Sequence, residues 1–215
     1  GAMNSILKLD DDKKNVLAWS SGNHAQAIAS ACYLTNKNAT IVMPEDSPNA
    51  KLNGTKSWGA NVVTFDRYSE SREEIGTNLA KEINAEIIPP FDHPDVINGQ
   101  GTVGYEIIND CKKNNLIPDL VLCCCGGGGL IAGVSTAIKA EYPNIPVYAV
   151  EPEDYNDTFL SLKNNKITEV DVSKKSICDS LLASKPGELT FSINKENLSG
   201  SLLVSDLEAM KAMKY

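Results

Sequence analysis

The sequence predicts an α/β protein with three layers, in which helices cover parallel β-sheets. Short apolar segments alternate with helical segments along most of the chain, which favours parallel strands joined by right-handed crossovers. A run of four glycines lies between an apolar segment and a helix, which is typical of a ligand loop at the end of a strand. The 215 residues are 42% hydrophobic, enough to form one large core or two modest ones.

The first part of the chain contains four strands and four helices by this pattern. The predicted strands are residues 15–19, 39–43, 61–65 and 85–88. The predicted helices are residues 2–9, 25–34, 49–58 and 70–83. Small residues at a spacing near 3.6 in the second of these helices indicate close packing on a sheet.

The prolines and polar residues of 91–94 interrupt this rhythm and suggest a domain boundary. We therefore expect a small α/β domain over 1–92 and part of a larger domain over 93–215. The larger part has predicted helices at 101–113, 130–142, 154–163 and 206–215, and predicted strands at 120–125, 147–150 and 202–204. We expect the strand 120–125 to be buried and central, and residues 164–200 to be mostly irregular.

The glycine run consists of Gly126, Gly127, Gly128 and Gly129, and Leu130 opens the next helix. Consecutive glycines leave their backbone N–H groups uncovered, and the positive end of the helix would point at the same place, so a phosphate is the expected ligand. A glycine-rich turn without a ligand is the alternative. The run lacks the Gly-Lys-Ser/Thr of a P-loop, which argues against a nucleoside triphosphate.

A second glycine pattern, Gly99, Gly101 and Gly104, matches the spacing of a dinucleotide-binding fingerprint. That fingerprint requires a strand directly before the first glycine. The preceding residues contain a proline and two aspartates instead. The sequence therefore argues against dinucleotide binding here.

Two other groups of polar residues are candidate sites. Ser20, Ser21, Gly22, Asn23 and His24 follow a strand and precede a helix, where α/β sheets bind ligands, although Ser21 or Asn23 could simply cap that helix. Glu151 and Asp157 could bind a hard cation through oxygen, or could belong to a solvated acidic loop.

Composition excludes several classes of partner. The formal charge of −8 and the absence of a basic cluster argue against nucleic acids and anionic membranes. No apolar run approaches the length of a membrane span, and the N-terminal residues do not resemble a signal peptide, so we expect a cytoplasmic protein. The six cysteines lack a zinc or disulfide pattern, which predicts reduced thiols in the core.

In their order and spacing, the Ser20–His24 segment, the Gly-Gln-Gly-Thr at 99–102 and the glycine run with Leu130 resemble the fold-type II pyridoxal-phosphate enzymes. The similar group is the serine/threonine dehydratase and serine racemase family. The resemblance covers essentially the whole chain. It implies the two-domain architecture of the tryptophan synthase β subunit, with pyridoxal 5'-phosphate as cofactor.

The resemblance also implies roles for individual residues. Gly126, Gly127, Gly128, Gly129 and the N–H of Leu130 would bind the cofactor phosphate. Asn23 would contact the pyridine 3-hydroxyl, and Ser20, Ser21, Gly22 and His24 would meet the substrate carboxylate. Glu151, the Tyr155 carbonyl and Asp157 match the spacing of the family's Mg²⁺ or Ca²⁺ site.

The family's Schiff-base lysine has no counterpart here, because Lys8, Lys13, Lys51 and Lys56 all stand in other contexts. We therefore expect a piece truncated at both ends that is inactive alone. The parent protein is expected to be an ammonia-lyase that converts L-serine, L-threonine or another 3-hydroxy amino acid to a 2-oxo acid, as a homo-oligomer (dimer or tetramer). A serine or aspartate racemase is the alternative, with Ser21 as the proton donor on the second face. A non-catalytic phosphate or amino-acid binding module is a further alternative.

Overall fold

The computed structural model describes all residues from Gly1 to Tyr215 and divides into two compact units, Gly1–Pro90 and Phe91–Tyr215. The boundary lies two residues before the predicted one. Phe91 and Asp92 belong to the second unit because they pack against its glycine run and its helices.

The first unit contains a four-stranded parallel sheet. Its strands are β1 (Asn15–Trp19), β2 (Asn38–Pro44), β3 (Asn61–Phe65) and β4 (Glu86–Ile87), in the order β3-β2-β1-β4. Its helices are α1 (Ala2–Leu7), α2 (Asn23–Leu34), α3 (Asn49–Ser57) and α4 (Arg72–Glu82). The middle residues of β1 and β2 form continuous buried runs, apolar apart from Thr40, which is the pattern of a parallel sheet covered on both faces.

The start of α2 differs from the prediction. The helix begins at Asn23, two residues early, and Gly22 occupies the N-cap position without any side-chain cap. Ser20 Oγ accepts a hydrogen bond from the Gly22 N–H at 3.1 Å, which forms a tight turn between β1 and the helix. The N-cap residue is therefore Gly22, and neither Ser21 nor Asn23.

The second unit contains a three-stranded parallel sheet, with β5 (Val121–Cys124), β6 (Val147–Pro152) and β7 (Gly200–Val204) in the order β5-β6-β7. Its helices are α5 (Pro94–Lys113), α6 (Gly129–Glu141), α7 (Asp157–Asn164), α8 (Glu188–Asn197) and α9 (Asp206–Met213). The prediction that the strand before the glycines is central was wrong. β6 is central, because it is the strand that pairs with both neighbours.

Only one face of this sheet is covered. Cys125, Val147 and Ala149 pack in a buried cluster with Ile131 and other residues of α6. On the opposite face, the side chains of Leu122 and Leu202 are 54% and 46% exposed. Within β5, Val121 and Cys123 are partly buried, whereas Leu122 and Cys124 are exposed, so the prediction of a buried strand was wrong.

Two helices of this unit differ from the prediction. α5 begins at Pro94, because His93 caps it through Nδ1 and the proline occupies its first position. α8 lies within 164–200, which was expected to be mostly irregular.

The second glycine pattern lies inside α5, with no strand directly before its first glycine. A Cβ at Gly104 would lie 2.8 Å from the Val134 carbonyl, so this glycine allows α5 and α6 to pack closely. The glycine pattern that resembles a dinucleotide fingerprint therefore serves the close packing of α5 against α6.

All six cysteines are free thiols. The prediction that they lie in the core is correct for Cys32 and Cys125, which are fully buried, and wrong for Cys124, which is exposed. None of the helices combines the length and the apolar character that a membrane crossing requires.

Candidate functional site

The glycine run connects β5 to α6. The sheet ladder ends at Cys125, whose N–H donates to the Val150 carbonyl at 2.9 Å. Gly128 adopts the left-handed conformation, with φ of +93°, and forms the N-cap of α6. The N–H groups from Gly126 to Leu130 take no part in the hydrogen bonds of the strand or of the helix. They are available to an anion, which the positive end of α6 also favours.

Neighbouring atoms leave no room for side chains on this run. A Cβ at Gly127 would lie 2.3 Å from the Phe91 ring, and one at Gly129 would lie 2.7 Å from Phe91 Cβ. At Gly128 the nearest atom would be Asn194 Nδ2, at 2.7 Å. Three of the four glycines are therefore required by packing.

Helix α8 holds the carbonyl groups of the same run. Thr190 Oγ1 donates to the Gly127 carbonyl at 2.8 Å, and Asn194 Nδ2 donates to the Gly128 carbonyl at 3.2 Å. Both side chains are buried. The Gly128 carbonyl also accepts the Ala132 N–H of α6, at 3.0 Å.

The N-terminus of α8 is held in turn by the Asp92 carboxylate. Its oxygens accept the N–H groups of Glu188, Leu189 and Thr190 at 3.0 to 3.1 Å. A carboxylate at this end of a helix also interacts favourably with the helix dipole. Gly187 makes this close approach possible, because a Cβ there would lie 2.2 Å from Asp92 Oδ1.

In the first unit, the predicted substrate residues form the turn between β1 and α2. Asn23 is exposed at the start of the helix, whereas Ser21 and His24 are partly buried. The side chain of Lys51 lies over Gly22, where a Cβ would be 2.6 Å from Lys51 Cδ. The turn therefore contains hydroxyl groups, a helix N-terminus and an adjacent cation.

The His24 ring is already engaged. Its Nε2 lies 3.0 Å from the Ile88 carbonyl, and a carbonyl can only accept, so Nε2 carries the hydrogen. Burial lowers the pKa of His24 to about 4, so the ring is neutral at pH 7. A neutral ring in this tautomer has no second N–H for a substrate carboxylate.

Glu151, at the end of β6, is fully buried. Its carboxylate accepts the N–H groups of Thr158 and Phe159, each at 2.8 Å, and the hydroxyl of Ser201. Burial raises its pKa, and these hydrogen bonds partly oppose the increase. The side chain joins β6, β7 and the start of α7.

Asp157, the first residue of α7, is also fully buried, but neither of its carboxylate oxygens has a hydrogen-bond partner. Burial and the Glu151 charge raise its pKa to about 8, against a smaller opposite effect from its own backbone N–H. Two unpartnered oxygens beside a second carboxylate are what a missing cation would leave behind. These residues thus fit a divalent cation.

Tyr155 directs its phenol elsewhere, because its hydroxyl lies 3.1 Å from the Val172 carbonyl and 2.5 Å from the Lys174 carbonyl. This leaves only its own backbone carbonyl for the expected role. The chain has no group of three or more His, Cys, Asp or Glu side chains that could hold a metal. The expected site would combine two carboxylates with this carbonyl and water.

Sequence reasoning missed the residues that surround the glycine run, namely Phe91, Asp92, Thr190 and Asn194. Phe91 and Asp92 stood in a stretch interpreted as a boundary, and the two α8 residues stood in one interpreted as irregular. The sequence Pro186-Gly187-Glu188 was the signal that could have found α8, since a glycine followed by an acidic first turn is a helix start.

Comparisons with known proteins give a consistent result. The family model described as pyridoxal-phosphate dependent enzyme matches residues 1–215. L-threo-3-hydroxyaspartate ammonia-lyase from Saccharomyces cerevisiae is 43% identical over 217 aligned residues, which cover 100% of this chain and 65% of that protein. Serine racemase from Schizosaccharomyces pombe is 39% identical, with coverage of 100% and 66%. The chain thus spans about 65% of the length of these relatives.

Solved structures agree with the sequence matches. A threonine deaminase from T.th. is similar with a TM-score of 0.92 and 39% identity, and the match covers 99% of this chain and 68% of that one. Maize serine racemase also gives a TM-score of 0.92, at 35% identity, with coverage of 99% and 64%. The expected fold, parallel α/β of fold type II, is confirmed.

Proposed function

Because this chain belongs to the family of pyridoxal-phosphate dependent enzymes, we propose that the complete protein is an ammonia-lyase acting on 3-hydroxy amino acids. L-serine, L-threonine and 3-hydroxyaspartate are the candidate substrates. The reaction removes the α-proton and the 3-hydroxyl, and hydrolysis then gives a 2-oxo acid and ammonia. Relatives with 43% and 40% identity named L-threo-3-hydroxyaspartate ammonia-lyase support this choice.

The glycine run is the observation that carries the proposal. Its uncovered N–H groups and the start of α6 offer a site for a phosphate, while its carbonyls point toward α8. A phosphate monoester satisfies these groups better than a carboxylate does, since it has more acceptor oxygens and more charge.

When bound, pyridoxal phosphate supplies an electron sink that stabilises negative charge at the substrate α-carbon. Residues Gly126 to Leu130 would hold its phosphate through backbone N–H groups. Asn23, exposed at the start of α2, would donate to the ring 3-hydroxyl. These contacts orient a bound ring without supplying the base, a role for which this chain has no matching lysine.

The substrate carboxylate would be bound by the turn of Ser20, Ser21, Gly22 and His24. Because the His24 ring is bound to the Ile88 carbonyl, His24 would contact the carboxylate through its backbone N–H. This N–H lies in the first turn of α2, where it has no hydrogen-bond partner within the helix. The positive end of α2 would add to the attraction. Lys51 contributes a further positive charge near Gly22.

A divalent cation, Mg²⁺ or Ca²⁺, would bind Glu151, the Tyr155 carbonyl and Asp157, with water completing its shell. The support is the buried, unpartnered carboxylate of Asp157. The cation would neutralise two adjacent buried charges and so stabilise the connection between β6 and α7.

Racemisation of serine is the second candidate, because the relatives also include proteins named serine racemase at 39% identity. Racemisation needs a proton donor on the second face of the α-carbon. The Ser21 hydroxyl is the candidate for that role. A cytoplasmic location and a homo-oligomeric state complete the proposal.

The test is an assay of the complete protein, freed of cofactor, with and without added pyridoxal phosphate. We expect 2-oxo acid and ammonia from at least one of L-threo-3-hydroxyaspartate, L-serine and L-threonine, only with the cofactor. Chiral chromatography of the remaining amino acid measures racemisation in the same samples. Isomer interconversion without 2-oxo acid would favour the racemase, and a protein that binds the cofactor but leaves every substrate unchanged would refute both activities.

A further inference from the structure

We propose that helix α8 is a brace that orients the cofactor-phosphate loop, with Asp92, Thr190 and Asn194 as its positioning residues. This inference rests on the proposed function of the glycine run and adds residues that the run itself does not contain. None of the three is expected to touch reacting atoms.

The geometry of the peptide group connects the glycine carbonyls to the N–H groups that would bind phosphate. A trans peptide places its C=O and N–H on opposite sides. The Gly127 and Gly128 carbonyls point to Thr190 and Asn194, so the N–H groups of Gly128 and Gly129 point away from α8. Two hydrogen bonds from α8 side chains thus help to set the direction of two proposed phosphate donors. The Gly187 N–H, at 3.4 Å from the Gly127 carbonyl, and the Ala132 N–H, at 3.0 Å from the Gly128 carbonyl, act in the same sense.

The glycine run needs hydrogen bonds to hold its peptide groups in one direction. Glycine visits many backbone conformations, and an unrestrained peptide group between two glycines can rotate at low energy. Packing of Phe91 against Gly127 and Gly129 limits where the run lies but does not select the direction of its peptide groups. Hydrogen bonds to the carbonyls make that selection.

Asp92 holds the start of α8 in place. Three consecutive N–H groups at the start of α8 are bound by this one carboxylate. Thr190 supplies one of those N–H groups and also the hydroxyl bound to Gly127, at 2.8 Å. A shift of Asp92 would therefore move the donor that holds the loop.

The Asn194 side chain distinguishes positioning from simple stabilisation. It is 1% exposed, and its Oδ1 has no hydrogen-bond partner. Burying this amide therefore costs free energy of folding, and only its hydrogen bond to the Gly128 carbonyl offsets that cost. The Gly128 carbonyl keeps the Ala132 N–H if Asn194 is replaced. Asn194→Leu should therefore be tolerated by the fold while it removes one of the two hydrogen bonds that orient this peptide group.

The experiment compares the Kd of pyridoxal 5'-phosphate with the Kd of pyridoxal, which lacks the phosphate, in the complete protein. Loss of one positioning hydrogen bond should weaken the phosphate compound about 3- to 10-fold and change pyridoxal less than about 2-fold. We expect this result for Thr190→Val and Asn194→Leu. Thr190→Ser, which keeps the hydroxyl, should bind both compounds like the unchanged protein.

Ser192→Ala is the matched control, since Ser192 lies on the same helix but is exposed and bonds only within it, to the Leu189 carbonyl. It should leave both Kd values unchanged. Asp92→Asn should act in the same direction as Thr190→Val, because an amide offers one acceptor oxygen where the carboxylate offers two.

The possible outcomes distinguish failure of the phosphate site from failure of the proposed role of α8. If the unchanged protein binds both compounds equally, the proposed phosphate site fails. If it prefers the phosphate compound and the Thr190 and Asn194 variants keep that preference, only the brace is refuted. Equal weakening of both compounds would also refute it, as the signature of a general structural role. If Thr190→Val does not fold, Asn194→Leu provides the same test.

Discussion

Asp157 provides the sharpest test of the proposed cation site. Its carboxylate is fully buried, beside the Glu151 carboxylate and near the Cys125 thiol, and it has no hydrogen-bond partner. We predict that, without a divalent cation, Asp157→Asn is more stable than the unchanged protein at pH 8. The physical reason is that asparagine has the same shape and carries no charge.

The magnitude follows from the pKa of this group. Burial and the Glu151 charge raise it from 3.8 to about 8 in the folded protein. Below pH 4 the Asp157 carboxyl is protonated in both the folded and the unfolded protein, so its burial does not lower the free energy of unfolding. Between about pH 4 and about pH 8, Asp157 is ionised in the unfolded chain but still protonated in the folded protein. The free energy of unfolding therefore falls over this range, by up to about 6 kcal/mol.

The assay is thermal unfolding of the complete protein between pH 4 and pH 8.5, in EDTA and in a Mg²⁺ titration. In EDTA, the unchanged protein should lose stability with rising pH more steeply than Asp157→Asn. At pH 8, Mg²⁺ at 100 times its Kd should restore about 2.7 kcal/mol to the unchanged protein, and much less to the variant. Asp154→Asn is the control, because the Asp154 side chain is 42% exposed and pairs with Lys174.

Identical pH profiles for the unchanged protein and Asp157→Asn would contradict the raised pKa. Equal responses to Mg²⁺ in the two proteins would show that the cation binds elsewhere. A response to Mg²⁺ lost in Asp154→Asn as well would point to the exposed acidic surface instead of the buried pair.

Three further predictions concern other residues. Gly128→Ala should destabilise the fold by about 1 to 3 kcal/mol and weaken pyridoxal phosphate binding, because φ is +93° and a Cβ would lie 2.7 Å from Asn194 Nδ2; denaturant unfolding and a Kd measurement check this. Ser21→Ala should abolish interconversion of D- and L-serine and spare elimination from the L-isomer, as followed by chiral assay and α-deuterium exchange, whereas equal loss of both would indicate a positioning role. Iodoacetamide at pH 7 should modify Cys124 before any other cysteine, because it is exposed and its interaction with the Cys123 side chain lowers its pKa; mass spectrometry would show another order if this is wrong.

Local pattern was sufficient for most of the fold. The predicted strand 61–65 coincides with β3, and the glycine run does connect a strand to a helix. These features depend on residues close in sequence, since apolar alternation, glycine and proline act on the backbone within a few positions. The resemblance to the pyridoxal-phosphate enzymes, confirmed by the family match, also arose from short ordered motifs.

The order of the strands in the second sheet could not be predicted from local sequence pattern. The apolar run before the glycines predicts a central strand, whereas the structure places β5 at the edge with β6 in the centre. Pairing depends on which strands meet in space, and an apolar strand has the same sequence pattern at either position.

The tertiary structure alone decided how the candidate sites are supported. The start of α8 is held by Asp92, almost one hundred residues earlier in the chain, so no local signal could show what binds the first N–H groups of that helix. The same holds for Thr190 and Asn194 on the glycine carbonyls, and for the His24 ring on Ile88. The sequence by itself supplied the candidate site residues, because glycine, serine and carboxylate groups are chemically distinctive, and their roles stay predictions. Which of their atoms are already engaged depends on long-range hydrogen bonds, which form only when the chain has folded.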